Sequence, residues 1–363
     1  ALPIFVNTSL FMTDWYIDKM KMKTHKSDPI PSSFNREQYK GSRRDYSLYV
    51  ERTEEPLLLD EMLKFIALED ERAKITLDSG NKVNYFPSKK VFLPIDKNTI
   101  IKNKVVDPKF YDSIVPQIEF TIKDKALYKN RLMMLDIVNQ NNWKRPIYFT
   151  GGSFGDDDYI WMKDYLQLDG MCFKLVPVKT PVKSPNPMEM GYIDSDKMFD
   201  IVMKWDWGNS ESPAIYHDPE TRKNSISYRT NLARLAETLI NENKLGKAEK
   251  VIDLAMEKMP LEYFGYYSLE PFAKGYYAVG KKEKAKTMLT KLIKKQQENL
   301  AYYNTWKPSD QNFSAMDIMM DIEQYRSFLE IAKYGKDLEF YNKEKLKFNN
   351  YNKMFIRFGR KME

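Results

Sequence analysis

Cysteine is almost absent: Cys172 is the only one in 363 residues. An intramolecular disulfide is therefore excluded, and cysteine usage leaves the redox compartment open. The only histidines, His25 and His217, stand far apart, and Cys172 has no companion, so no zinc-ligand spacing is present. Glycine is scarce, with 14 residues, which suits a helix-rich architecture better than a barrel or sandwich. No run of about 18 apolar residues occurs, so no transmembrane helix is expected. No signal peptide is visible, yet the chain opens abruptly on the buried-type strand ALPIFVNTSLF, as a piece of a longer protein would begin.

Against these absences stand 42% apolar and 30% charged residues, enough to bury real cores, in a length that suits two domains or three small ones. Aromatics are abundant, with 24 Tyr, 20 Phe and 6 Trp. The net charge of +7 arises from 58 basic and 51 acidic residues of interspersed sign. That is a mixed solvated surface without the basic stripe of a nucleic-acid binder, and no nucleic-acid partner is expected. The densest basic segment is the terminal KMFIRFGRK, Lys353 to Lys361, read as a solvated tail. Cys172, in the apolar run MCFKLVPV, reads as a buried inert thiol.

The first half mixes strands and helices. Residues 3–10 read as a strand, and Thr13 with Asp14 offers a cap and an acidic first turn for a helix over DWYIDKMKMK. Residues 27–55 are polar and irregular. EPLLLDEMLKFIAL reads as an amphipathic helix, and AKITLDSGNKVNYF as a hairpin about Asp78 to Asn81. After the strand QIEFTI, Tyr128, Leu132 and Leu135 lie at i, i+4 and i+7 of a helix ending at Asn141 and Asn142. RPIYFT, DDDYIWMKDYLQL and MCFKLVPVK then read as strand, helix and strand, which predicts a right-handed parallel crossover. A proline-rich linker follows, with Pro181, Pro185 and Pro187.

From about Asp194 the pattern is helical and repeats. Leu235, Ala236, Ala248, Ala255 and Pro260 fall where a tetratricopeptide repeat places small and terminating residues, and Ala273, Gly280 and Ala285 repeat the pattern. A degenerate third unit is expected at about 315–334. The predicted fold is thus mixed α/β with a partly parallel sheet over 1–190, then an all-α tetratricopeptide-like array over 191–363.

YFTGGSFGDDD, Tyr148 to Asp158, contains a literal G-x-S-x-G, and His217 follows in the order of a nucleophile elbow. Physics opposes a hydrolase built on Ser153. The Phe154 amide would have to stabilise an oxyanion beside Asp156, Asp157 and Asp158, each opposing the charge by roughly 2 kcal/mol at an effective dielectric of about 20. Asp156 and Asp158 form a D-x-D pair able to hold a hard cation, as do Asp194 and Asp196. Both pairs precede helices, where capping explains them without a metal. No cofactor is expected. The aromatic clusters EYFGYYSLEPF and KWDWGNSESPAIYHD, including Tyr266, Tyr267, Trp205 and Trp207, could line a sugar or peptide groove, or seal the helical array against the α/β half.

TDWYIDKMK, NNWKRPIYF, DYLQLDGMCFKLVPV, WDWGN with IYHDPETR, and the repeat segment through YYAVGKKEKA occur in that order. Together they resemble the C-terminal soluble part of a bacterial multi-spanning membrane-protein family of unassigned function, similar to protein O-mannosyltransferases. The resemblance implies an N-terminal membrane domain, absent from this chain, that carries the catalytic acid and the polyprenyl-phosphate sugar site. It implies a non-catalytic appendage on the periplasmic side of the inner membrane, docking secreted or envelope polypeptide or steadying the membrane domain. The family blocks contain Asp14, Trp15, Trp143, Arg145, Pro146, Tyr148, Tyr165 and Leu168. Of these, Asp14, Trp15, Arg145, Tyr148 and Tyr165 are taken as binding candidates with Tyr266 and Tyr267. The alternatives are an interaction scaffold with no enzymatic parent, or a serine hydrolase using Ser153 and His217.

Overall fold

A computed structural model describes residues 2–6, 8–150, 157–180, 190–265 and 268–359. The expected fold class holds: a mixed α/β region with partly parallel sheets precedes a helical region. The chain divides into two compact units, Ala1–Asp194 and Ser195–Glu363.

Among the described residues the first unit carries three small sheets. The first has the order β1 (Ile4–Val6), β9 (Ile147–Thr150), β11 (Cys172–Leu175), β10 (Leu166–Asp169). The second runs β4 (Lys74–Thr76), β5 (Lys82–Phe86), β2 (Tyr46–Tyr49), β8 (Ala126–Tyr128). The third joins β3 (Leu57–Leu58), β6 (Lys90–Pro94) and β7 (Gln117–Thr121). The expected hairpin forms: β4 and β5 pair antiparallel, closed by Gly80 at φ +81° and by Leu77 N donating to Asn81 O.

The expected parallel crossover does not form. β9 and β11 pair antiparallel, with Phe149 opposite Phe173, and the parallel partner of β9 is β1, with Ile4 opposite Ile147. LQL, read as the end of a helix, instead belongs to β10, which is buried along its length and turned onto β11 through Gly170 at φ +72°. What precedes it, Asp157–Tyr165, is 3₁₀ helix. Nor does a strand fill residues 3–10: β1 stops at Val6 and a 3₁₀ turn covers Ser9–Met12. Local alternation fixes a strand's faces and leaves its partner and direction open.

The helices of this unit are α1 (Asp14–Met20), α2 (Arg36–Tyr39), α3 (Leu59–Ala67), α4 (Lys97–Lys102) and α5 (Lys129–Asn141). Thr13 does not cap α1, because its hydroxyl donates back to Leu10 O. α5 buries Leu132 to Val138 on every side, so it is a core helix rather than a one-faced one; Tyr128, expected on its face, precedes it and is exposed. Within that apolar helix sits Asp136, fully buried. Its carboxylate accepts from Ser32 Oγ (2.6 Å), Ser33 Oγ (2.6 Å) and Ser33 N (2.9 Å), which fastens the irregular 27–55 segment to the core.

The second unit begins with α6 (Ser195–Val202) and continues as α7 (Pro219–Asn241), α8 (Leu245–Lys258), α9 (Leu261–Phe264), α10 (Glu270–Ala278) and α11 (Lys282–Asn304). α12 (Pro308–Phe313), α13 (Ala315–Tyr334), α14 (Leu338–Met354) and α15 (Ile356–Gly359) complete it. α7 packs on α8, α10 on α11 and α13 on α14, as successive pairs. The small residues face these contacts: Ala248, Ala255, Ala273 and Ala285 are all fully buried. At Gly275 a Cβ would lie 2.7 Å from Ile252 Cδ1, which shows how closely α10 approaches α8. Pro260 separates α8 from α9, and Gly280, at φ +77°, turns the chain between α10 and α11.

Candidate functional site

A cleft of about 780 Å³ in the first unit lies between two chain segments. One wall is the turn Gly41 to Tyr46 that leads into β2, with Lys40, Arg36 and Asp14 above it. The other is Lys82 to Asn84, the first half of β5, with Lys74 and Glu69 beside it.

The turn is held from beneath. Arg44 sits in the left-handed region at φ +52°, a conformation that costs about 1 kcal/mol or more without compensation. Compensation comes from its buried guanidinium, which donates to the carbonyls of Ile66 (2.9 Å), Gln38 (2.8 Å) and Ala67 (2.9 Å) and to Glu69 (2.8 Å). Lys129, also buried, ion-pairs with Asp45 at 2.6 Å and donates to Gly41 O at 2.6 Å. The cleft wall is therefore a fixed structure, not a loop free to collapse.

The second wall is open for a topological reason. β4 pairs with Lys82, Val83 and Asn84, whereas β2 pairs only with Tyr85 and Phe86. Among the described residues β2 is paired with none of Lys82, Val83 and Asn84. Alternation from the Leu77–Asn81 hydrogen bond directs the backbone groups of Val83 to β4 and those of Lys82 and Asn84 away from it.

Six basic and three acidic side chains line the cleft, and most are already matched. Lys82 pairs with Glu71, Arg36 with Asp18 and Lys40 with Glu37, while Lys74 donates to Glu69 O and stands 3.8 Å from its carboxylate. Burial raises the Glu69 carboxyl, but the Arg44 hydrogen bond and charge outweigh it and hold it below the usual range. The amides of Gly41 and Trp15 hold Asp14 below it too, at 3.2 and 2.8 Å. Arg43 stands apart: it donates to the Glu37 carbonyl at 2.7 Å and has no ion pair among the described residues.

Of the residues singled out from sequence, Asp14 lines this cleft and Trp15, 56% exposed, stands next to it in the chain. The others serve the unit's own architecture. Arg145 donates to the carbonyls of Leu2, Pro3, Asp28 and Pro29 and to Ser27 Oγ, tying the start of the chain to the 27–29 segment. Tyr148 stacks on Phe5 and donates to Asp169 at 2.8 Å; burial and then the Asp169 charge push its hydroxyl far up. Asp169 also accepts from Gln167, whose carbonyl accepts from Tyr192, a buried polar chain across the first sheet. Tyr165 is buried and its oxygen accepts from Glu119 N at 3.4 Å. Pro146 O accepts from Ile4 N, Leu168 is fully buried, and Trp143 joins the core around Ile100 and Val176. Tyr266, Tyr267, Ser153 and Asp156 lie outside the described residues.

His217 is buried in the second unit, its ring 4.4 Å from that of Phe264. Asp194 and Asp196 go to different lysines. Asp194, buried, pairs with Lys109 at 2.6 Å; Asp196 takes Lys244 and Lys247, each at 2.7 Å, which lower its pKa to about 2. Among the described residues no group of three or more His, Cys, Asp or Glu has the arrangement of a metal site. Cys172 is half-buried rather than fully buried; burial and then Asp169 push its thiol up, away from the reactive thiolate. In the second unit Trp205 packs edge to face on Trp207 and Tyr228, and Trp207 and Tyr228 meet at a tilt, with ring centroids 5.5–5.8 Å apart. A smaller groove of about 410 Å³ runs between the end of α8, α9, α10 and α11, lined by Met256, Leu261, Met288, Glu262, Lys284 and Tyr276 among others.

Residues 4–197 match the family TMEM260-associated domain 2. The chain belongs to this family. No curated protein and no solved structure matches it. The match of the TMEM260-associated domain spans the first unit from Ile4 and ends within α6, so the 780 Å³ cleft lies wholly inside it and the 410 Å³ groove wholly outside. No described helix of the domain is long and apolar enough to cross a membrane. Sequence reading missed the cleft because its wall falls in the segment read as irregular. The signal was there in GSRRDY, Gly41 to Tyr46, where two arginines directly precede a strand.

Proposed function

We propose that this chain is a non-catalytic, extracytoplasmic domain of a protein O-mannosyltransferase-like membrane protein, on the periplasmic side of the inner membrane. In this reading it docks secreted or envelope polypeptide for a membrane domain that performs the sugar transfer. The family association with TMEM260 supports the link to a larger parent. The observation that carries the docking role is the cleft. It is preformed and polar, its acids are held by amides or cations, and backbone groups of Lys82 and Asn84 face it. Such a surface recognises by hydrogen bonding; it holds no histidine or cysteine to carry a proton or attack a substrate. The small-residue helix pairs of the second unit, read as tetratricopeptide-like, support a second polypeptide surface in the α8–α11 groove.

The test uses the parent and this chain side by side in an envelope extract. The isolated chain is expected to form photo-crosslinks to envelope polypeptides while transferring no sugar from a polyprenyl-phosphate donor. Sugar transfer by the isolated chain would overturn the non-catalytic reading, and failure to crosslink any envelope polypeptide would overturn the docking role. An alkaline phosphatase fusion to the chain within its parent is expected to be active; an inactive fusion would overturn the periplasmic placement.

A further inference from the structure

We infer that the cleft is a slot for one extended, acidic polypeptide segment, which adds to the second sheet as a short strand along Lys82 to Asn84. The inference rests on the polypeptide-docking reading and names the mode and the charge of the partner.

The mode follows from the sheet. β5 is five residues long, yet β2 covers only its last two on one side. The chain before β2 does not continue the ladder, because Asp45 O accepts from Lys129 N and Gly41 O from Lys129 Nζ, which draws the turn toward α5. Along β5 the ladder repeats every two residues, so the groups of Lys82 and the amide of Asn84 present a donor–acceptor row that β2 does not pair. A strand rises about 3.3 Å per residue, so three to four ligand residues fill a gap on the order of 10 Å long. An added strand satisfies backbone groups whatever its side chains, and the lining side chains then select among sequences.

The charge follows from the walls. Arg43 is an exposed cation with no ion pair among the described residues, and Lys74, which donates to Glu69 O, reaches the Glu69 carboxylate only at 3.8 Å. Lys40 and Lys82 are bridged at the exposed surface, where such pairs are worth ~1 kcal/mol or less and can exchange partners. Asp14 and Asp45 carry negative charge at the same cleft, but both are bound already, Asp14 by amides and Asp45 by Lys129. Glu37 and Glu69 feel the Arg43 charge but neither forms an ion pair with it, so an arriving carboxylate can take that place, whereas an arriving lysine meets carboxylates that already have partners.

The probes are three fluorescein-labelled octapeptides of alternating residues, Glu-Val, Gln-Val and Lys-Val, titrated into the whole chain by anisotropy, with amide hydrogen exchange in parallel. Binding is expected in the order Glu-Val, Gln-Val, Lys-Val, with slowed exchange at Lys82 and Asn84. Arg43→Glu is expected to weaken the Glu-Val peptide about tenfold and to strengthen the Lys-Val peptide. Arg43 is exposed and holds a single carbonyl, so the variant folds as the parent chain does. Binding that is indifferent to Arg43→Glu, or that slows exchange along α8 to α11 instead, would overturn the slot while leaving polypeptide docking in place. Displacement of the Glu-Val peptide by inorganic phosphate, without protection of Lys82 and Asn84, would overturn it in favour of a simple anion site. If none of the three peptides binds while envelope polypeptides still crosslink, the slot falls alone; if neither occurs, the docking reading falls with it.

Discussion

The two units solve the problem of cohesion differently. In the first, strands of two to five residues and a long irregular segment leave many polar groups to satisfy, and charged side chains, most of them buried, satisfy them. Arg44, Lys129, Asp136 and Arg145 each tie together segments that no hydrogen-bond ladder joins. In the second, helices satisfy their own backbones, and cohesion comes from alanines and glycines that let them approach. A substitution in the first unit should therefore act by orphaning polar groups, and one in the second by changing volume. The contrast also explains where a binding cleft can persist. Clamped irregular chain can hold an unpaired strand edge open, while close-packed helices leave only shallow grooves between their ends.

The most damaging test of this contrast is Asp136→Ala. It removes the buried acceptor that holds two serines of the irregular segment to the core; Ser32 is half-buried and Ser33 exposed, so their donors can turn to water, and the cost is about 3 kcal/mol. The fall should appear in the denaturant midpoint, and Asp136→Asn, which keeps an acceptor, should recover part of it. Next comes Gly335→Ala at the end of α13, where the new Cβ would fall 2.3 Å from the Tyr277 ring. That ring is tethered by its hydroxyl to Asp337, so about 2–3 kcal/mol of overpacking is expected. Gly275→Ala sharpens the point: its neighbour is the mobile end of Ile252, and the gain in helix propensity offsets the crowding to within about 1 kcal/mol. A large loss at Gly275 equal to that at Gly335 would contradict the packing described.

Arg145→Ala should cost about 1–2 kcal/mol, because its bonds to the Leu2, Pro3, Asp28 and Pro29 carbonyls are partly solvated. Faster amide exchange at β1 would locate the effect. The smallest effect concerns pH. Asp196 titrates at about 2 in the folded chain because Lys244 and Lys247 hold it ionised. Its folded pKa lies below the unfolded carboxylate value, so its contribution is present above about pH 4 and is lost as pH falls toward 2. The difference in stability between the parent and Asp196→Asn should shrink over that window. A difference that stays constant down to pH 2 would show that the lysines do not depress its pKa in solution.

Periodicity made the helical half legible, since Ala248, Val251, Ile252 and Ala255 mark one buried face by spacing alone. The hairpin at Gly80 was equally plain from its turn residues. The site was much less so. Asp14 was singled out for its place in a sequence block and does line the cleft, but Arg43 and Lys82 look like any solvated charges in a chain that is 30% charged. Nothing local distinguishes Arg145, which clamps four carbonyls from within the unit, from a residue that greets a ligand.

By itself the sequence determined the order of α/β before helix, the buried small-residue positions of the helical half and the turn of the hairpin, because these depend on residues a few positions apart. Tertiary structure decided that β9 lies parallel to β1 and antiparallel to β11, and that a helix-like LQL is a buried strand. It also decided that β2 stops short of Lys82 to Asn84 and leaves a cleft there. Those outcomes depend on which distant segment arrives beside a strand, and alternation of side chains carries no record of the partner.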